Sequence, residues 1–153
     1  MGLDMFLYGV KFNKDKKEGV WEEVCYWRKA NHIHKWFSGR FIKDQDSYGY
    51  YAVSEADLQS LLLHLKFLKK IKDGEKDFKL VETNLLKEER KKDYYEGDAN
   101  YIAEAIFPPD NFGCCFGWGF IDDWYWEDID DTIEKLTEVL KNNYDYFFYH
   151  ASW

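Results

Sequence analysis

The chain has 153 residues, of which 46% are hydrophobic, 33% charged and 20% aromatic, and it carries a formal net charge of −8. This length suits a single domain with its own core, and no apolar run approaches the ~18 residues that a membrane-spanning helix needs. The negative charge disfavours bulk DNA or RNA as the main partner, because nucleic-acid phosphates would be repelled. We therefore expect one domain that binds neither membranes nor bulk nucleic acid.

Cysteine usage and the start of the chain predict a cytoplasmic protein. The cysteines are Cys25 and the adjacent pair Cys114 and Cys115, an arrangement that argues against a disulfide framework. The opening "MGLDMFLYGVKF" has neither the basic start nor the long apolar stretch of a signal peptide. A reducing cytosol is therefore the expected compartment.

The first part of the chain predicts a strand and then a helix. Strand-forming residues over 3–12 predict the first strand, and a polar turn follows over 13–19. Residues 20–37 are predicted to form the first helix, because Ser38 and Gly39 provide a natural stop. This predicted helix contains "YWRKANHIHKWF", which concentrates rings and cations in one short stretch.

The middle of the chain predicts a strand, a long helix and a charged segment. Residues 47–54 favour a second strand. Ser54 then caps a helix over Glu55–Lys72, in which leucines recur at helical spacing. Residues 73–98 are strongly charged and have little periodicity, so this segment is predicted to be mobile.

The last part of the chain completes the predicted fold. It predicts a short helix over 99–107, a strand through 114–116, a helix over 121–143 and a C-terminal strand over 144–153. Together the elements predict one α+β domain over 1–153. About four strands would form a mixed or antiparallel sheet, packed by three main helices.

The predicted helix over 20–37 supplies the main candidate for a binding site. At about 100° per residue, one stripe of this helix faces the core. The edge of that stripe carries Trp27, Arg28, Asn31 and His34. A ring beside a guanidinium and an amide can recognise a flat anionic ligand such as a nucleotide. The alternative is an ordinary helix edge with partly buried rings and an arginine paired to an acid.

The opposite wall of this site is predicted to come from Trp118, Trp124 and Tyr125. In this arrangement Arg28 would contact phosphate, and an indole of either wall would stack on a base. Asn31 would form hydrogen bonds with the edge of the base. The site is thus predicted to bind a nucleotide-like small molecule.

Other patterns argue against catalysis and metal binding. His32 and His34, two residues apart on a helix, would point to nearly opposite sides and would not share a metal ion. Cys114 and Cys115 are expected to be buried strand residues rather than nucleophiles. The sequence contains no complete catalytic motif, so binding is favoured over catalysis, and no metal or cofactor is expected.

The acidic stretch over 122–134 allows three interpretations. Asp123, Glu127, Asp130 and Glu134 share one helical face, and such carboxylates can hold magnesium in phosphoryl-transfer sites. More often, such a run is a solvated helix face with acids at its start. It could also imitate a nucleic-acid backbone towards a basic protein.

Three stretches carry a resemblance to a known family. "MGLDMFLY", "YWRKANHIHKWF" and "FGCCFGWGFIDDWYWEDIDDTIEKL", in that order, resemble a family of small uncharacterised proteins of bacteriophages and prophages. The third stretch departs from the family pattern, since Cys114 and Cys115 stand where rings are usual and Ile121 replaces a tyrosine. The resemblance implies a phage origin and action inside a bacterial cell, and it brings no assigned activity.

Four functions stay open at this point. The first is a phage counter-defence protein that sequesters a nucleotide immune signal. The second is an acidic inhibitor of a host defence protein, like an anti-CRISPR protein, and the third is a metal-dependent nucleotide hydrolase using Asp123, Glu127 and Asp130. The fourth is a structural protein without a ligand. Any exposed rings would also suit a homodimer.

Overall fold

The computed structural model describes residues 2–42, 49–73, 99–110, 117 and 119–153. These ranges contain four strands and four helices. The strands are β1 (Asp4–Asn13), β2 (Glu18–Arg28), β3 (Tyr51–Val53) and β4 (Tyr146–Ser152). The helices are α1 (Asn31–Phe41), α2 (Glu55–Lys72), α3 (Ala99–Ile106) and α4 (Asp123–Val139).

The four strands form one antiparallel sheet in the order β2-β1-β4-β3. The two long central strands, β1 and β4, pair over seven residues from Asp4–Ser152 to Val10–Tyr146. This confirms the prediction of a small α+β domain with a four-stranded sheet. Within the described residues, no helix has the length and apolar character needed to cross a membrane.

The predicted helix over 20–37 is wrong at both ends. α1 begins only at Asn31, and it continues through the predicted stop at Ser38 and Gly39 to Phe41. Residues 20–28 belong to β2, whose register with β1 sets Met5 opposite Trp27 and Phe6 opposite Tyr26. Alternating burial fits this strand, since Trp27 is buried while Tyr26 is exposed. Lys29 then adopts a φ of 56°, which breaks the chain direction before α1 begins.

Most other elements lie where they were predicted. α2 has the predicted bounds, and Ser54 forms a full capping box, with its hydroxyl accepting from the Asp57 N–H at 3.0 Å. α3, α4 and β4 match the predictions apart from their ends, and β3 is only three residues long. The predicted strand over 114–116 and the charged segment beyond Asp73 lie outside the described residues.

The helices pack against one face of the sheet and build the core there. Inward-facing strand residues such as Met5 and Leu7 are completely buried against helix residues such as Ile33 and Leu61. Phe37 of α1 stacks on Tyr149 of β4 with ring centres 4.1 Å apart. The opposite face of the sheet carries many of the exposed rings.

Candidate functional site

A cavity of about 500 Å³ opens where β2 ends and where α1 and α4 begin. The turn over 28–32 therefore meets Gly117, Phe120 and the first turns of α4, which are distant from it in sequence. The described residues that line the cavity are Arg28, Lys29, Asn31, His32, Gly117, Phe120, Asp122, Trp124, Tyr125 and Asp128.

Four of the seven predicted site residues line this cavity: Arg28, Asn31, Trp124 and Tyr125. Arg28 is exposed and forms no ion pair with another described residue. Trp124 is 70% exposed, which is unusual for an indole and leaves its ring open to a ligand. The cavity thus combines an available guanidinium with an available aromatic face.

Two predicted site residues lie in the core instead. Trp27 is 3% exposed, and its Nε1 donates to Thr132 Oγ1 of α4 at 2.8 Å. His34 is 4% exposed, and its Nδ1 lies 2.6 Å from the hydroxyl of Tyr149. The helical projection grouped them with Arg28 because it treated β2 as part of a helix, and this grouping was wrong. Trp118 lies outside the described residues.

Asn31 holds the cavity wall together and is itself almost completely buried. Its Oδ1 accepts a hydrogen bond from the backbone N–H of Asp110 at 2.9 Å. Gly117 packs against the same turn with a φ of +97°, and a Cβ there would lie 2.6 Å from the carbonyl oxygen of Lys29. Only glycine fits such an approach. Asn31 therefore positions the wall, which differs from the predicted role of contacting a base.

Tyr125 and His32 form an aromatic floor. Their rings stack with centres 4.3 Å apart, and the Tyr125 hydroxyl donates to the carbonyl oxygen of Phe107 at 2.7 Å. Burial lowers the pKa of His32 to about 3, and a hydrogen bond to the Tyr125 backbone only partly opposes this shift. The floor is therefore uncharged at neutral pH.

The beginning of α1 adds positive potential to the cavity. Its N-cap residue, Ala30, provides no side-chain hydrogen bond, and the first turn contains no acidic residue. The N–H of Asn31 donates to the carbonyl oxygen of Lys29 at 2.9 Å, and the positive end of the helix dipole favours an anion nearby. α4 differs in this respect, because Asp122 caps it by accepting from the Tyr125 N–H at 3.0 Å.

Asp128 is an ionisable group of the cavity whose pKa is shifted close to neutral pH. Burial raises the pKa of its carboxyl to about 7, and the negative charge of Asp131 adds to the shift while Lys135 opposes it. No described residue forms a hydrogen bond with this carboxyl group. Asp128 was predicted only as part of the acidic stretch over 122–134 and not as a site residue, although it lies one helical turn after Trp124 and therefore on the same face of α4.

Replacing Asp128 with asparagine should stabilise the protein at high pH. Because the folded-state pKa lies above the unfolded value, folding favours the protonated carboxyl, and stability falls as pH rises towards and through pH 7. We expect Asp128→Asn to gain about 2 kcal/mol at pH 8, and clearly less at pH 5. Urea unfolding of both proteins at the two pH values measures this difference.

The exposed neighbour Glu127 supplies the matched control for this experiment. Glu127→Gln should change the free energy of unfolding by less than about 0.5 kcal/mol at either pH, as is usual for surface positions. If Asp128→Asn lowered stability at pH 8, the prediction would be wrong. The ionised carboxyl group would then be stabilised by a contact with a group other than the described residues.

The acidic face of α4 is partly engaged in ion pairs. Asp130 lies 2.8 Å from the ammonium of Lys69 in α2. Among the described residues, no group of three metal-ligating side chains comes together. Burial also raises the pKa of the Cys25 thiol to about 12, which leaves it protonated and unreactive at neutral pH.

Fold and cavity together define a small α+β domain whose sheet edge borders a pocket of ligand size. No family model, curated protein or solved structure matches the chain.

Proposed function

We propose that this protein binds a small nucleotide-like anion in the cavity and thereby sequesters it. The observation that carries the proposal is the meeting of Arg28 and Trp124 on one cavity of about 500 Å³. Small-molecule sites are typically concave spaces of about 300–1,000 Å³, mostly apolar, with a few polar groups that fix orientation. The cavity has this size and this mixture of walls.

The phosphate of the ligand would lie at the cationic end. Arg28 offers a planar fork that matches two phosphate oxygens, and Lys29 adds a second cation on the same wall. The uncapped start of α1 contributes in the same direction. These three features place positive charge at one end of the cavity, whereas Asp122 and Asp128 line its α4 side.

The base of the ligand would stack on the exposed rings. Trp124 and Phe120 are 70% and 56% exposed and border the same cavity. Stacking of a base on an aromatic side chain contributes about 1–3 kcal/mol. The carboxyl group of Asp128 is available to accept N–H groups from the base when ionised, or to donate when protonated.

Binding without turnover suits the polar groups of this cavity. The Tyr125 hydroxyl donates to a carbonyl oxygen of the fold, and Asp122 caps a helix. Neither group is placed as a nucleophile activated by a neighbouring base. Holding the ligand, rather than converting it, is therefore the function that we propose.

The biological setting of the proposal comes from the family resemblance. If the chain is a phage protein in the bacterial cytosol, a nucleotide produced by host defence is a ligand whose removal would favour the phage. Sequestration needs only tight binding and enough copies of the protein. The proposal thus requires no cofactor and no partner protein.

A nucleotide titration tests the proposal. Tryptophan fluorescence is followed while ATP, GTP, a cyclic dinucleotide or inorganic phosphate is added, because Trp124 should respond to a stacked base. We expect at least one nucleotide to give a saturable change, and inorganic phosphate to bind far more weakly. If no nucleotide in the series gave saturation, the proposal would be wrong.

A second candidate function is supported by an acidic groove. This groove, about 450 Å³ in volume, runs between β2 and α4, and its carboxylates are those of Glu22, Glu23, Asp131, Glu134 and Glu138. It would suit a basic surface of a host defence protein. A host protein that copurifies with the chain and dissociates at high salt would favour this candidate.

A further inference from the structure

The face of the sheet opposite the helices is covered by aromatic side chains. Strand alternation places them there, since Phe6 and Tyr8 point away from the buried residues Met5 and Leu7. We call this surface the ring face. It consists of Phe6, Tyr8, Trp21, Tyr26, Tyr50, Tyr146, Phe148 and His150.

The rings of this face contact one another across the strands. Trp21 of β2 stacks with Phe148 of β4 with ring centres 4.7 Å apart, and Tyr50 stacks with His150 at 4.4 Å. Trp21 also meets the edge of Tyr50 at 5.8 Å. Further ring contacts join Phe6, Tyr8 and Tyr26 to this group, so the ring face is a preorganised aromatic surface, and the pairing of Tyr146 with Val10 places Tyr146 on the same side of the sheet.

This surface stays open to solvent in the single chain. Trp21, Tyr50 and Tyr146 are 49%, 56% and 56% exposed. With full side-chain areas of about 150–250 Å² each, the rings of the face together expose on the order of 500–600 Å². That area lies at the upper end of the range for the largest apolar patch of a monomer, a patch that often has a function, and it approaches the ~600–800 Å² that each partner buries in smaller specific interfaces.

Charges lie at the margin of the ring face and have both signs. Asp4 accepts a hydrogen bond from the Tyr26 hydroxyl at 2.5 Å. This hydrogen bond raises the pKa of Tyr26, and the nearby charge of Glu23 adds to the shift while that of Arg28 opposes it. An aromatic centre depleted of charge is typical of protein interfaces. Because the margin carries both positive and negative charges, it can face the same margin on a second copy of the chain. A nucleic acid would instead require a mainly basic margin.

We propose that two copies of this chain pair through their ring faces around a two-fold axis. Two antiparallel sheets can pack face to face about 10 Å apart, with rings from both sheets interdigitating. The product would be a symmetric dimer with its helices on the outside and both ring faces buried. This proposal does not depend on the nucleotide cavity.

Net charge gives the dimer a recognisable salt dependence. Each copy carries a net charge of −8, so two copies repel one another at low ionic strength while the rings attract. Added salt should therefore tighten the dimer. A contact made mainly by opposite charges would weaken under the same conditions.

Sedimentation equilibrium over a range of protein concentrations tests the proposal. We expect the wild-type chain to be a dimer that dissociates on dilution and that dissociates less at higher salt. The double variant Tyr50→Lys, Tyr146→Lys puts two charges on exposed positions of the ring face. It should weaken the dimer at least about thirtyfold, because charges would be buried at the centre of the contact.

The control is Leu63→Lys, at a residue of α2 that is 45% exposed. This variant should dimerise like the wild type, and circular dichroism should show that all the variants are folded. The proposal is overturned if the wild-type chain is monomeric at every concentration. It is also overturned if the double variant dimerises normally, or if Leu63→Lys disrupts the dimer equally.

Discussion

Replacing Trp27 with alanine is expected to cost about 3–5 kcal/mol of folding free energy, the range found for truncating a buried aromatic side chain. The indole is 3% exposed and packs between the sheet and the helices, with its ring centre 6.0 Å from that of Phe37. Its Nε1 donates to Thr132, whose hydroxyl in turn donates to the carbonyl oxygen of Asp128 at 2.6 Å. The variant would therefore leave a void and also loosen the part of α4 that lines the cavity.

Urea unfolding measures this effect, and Trp124 offers a matched control. Trp124→Ala removes the same side chain from a position that is 70% exposed, so it should change stability by less than about 0.5 kcal/mol. Its effect should instead be on ligand binding. If the two variants were equally stable, Trp27 would not have the structural role assigned to it.

Replacing Arg28 with alanine should weaken nucleotide binding about tenfold or more, because a charge-assisted contact to phosphate is lost. The fold should survive, since Arg28 is exposed and forms no ion pair with a described residue. Calorimetric titration with the nucleotide that binds best to the wild-type chain measures the change in affinity. An unchanged dissociation constant would exclude Arg28 from the site.

Two further variants define what Arg28 contributes. Arg28→Lys keeps the positive charge but loses the planar fork, so its affinity should lie between those of the wild type and the alanine variant. Lys35→Ala removes an exposed cation from α1 at a position that does not line the cavity. That variant should bind the nucleotide with wild-type affinity. Such a result would show that the loss of affinity in Arg28→Ala comes from a contact with the ligand and not from the change in net charge.

Local signals in the sequence were sufficient to predict most of the fold. The capping serine and the spaced leucines define α2, and an acidic N-cap followed by an apolar stripe defines α4. Residues 20–28 were misassigned because the predicted helix was extended too far towards the N-terminus. Ser38 and Gly39 were also a wrong helix end, since α1 runs to Phe41. Burial in β2 alternates only over residues 25–28, and it emerges only when β2 pairs with β1, a pairing that overrides local preference.

Four residues of the candidate cavity were predicted from the sequence, but the prediction placed Arg28 and Asn31 on the edge of one helix, which is not how they come together. Arg28 and Asn31 meet Trp124 because the turn after β2 lies beside the start of α4. Periodicity within one helix cannot show such a contact between distant segments. The raised pKa of Asp128 was equally hidden, because burial by other parts of the fold causes it.

The nucleotide-binding proposal and the dimer proposal are compatible, because the cavity and the ring face lie on different parts of the domain. The ring face covers the side of the sheet away from the helices, whereas the cavity lies where two helices begin. A dimer formed through the rings would carry one cavity in each copy. Ligand capacity per chain should therefore be unaffected by the substitutions at Tyr50 and Tyr146.

The central claim is that the cavity beside Arg28 holds a nucleotide-like anion. It is tested most directly by purifying the wild-type and Arg28→Ala chains from bacteria in which nucleotide defence signalling is active. Each protein is then denatured, and the released small molecules are identified by mass spectrometry. We predict that the wild-type chain releases a nucleotide and that the variant releases much less. A wild-type chain that releases no nucleotide, or a variant that releases an equal amount, would contradict the account.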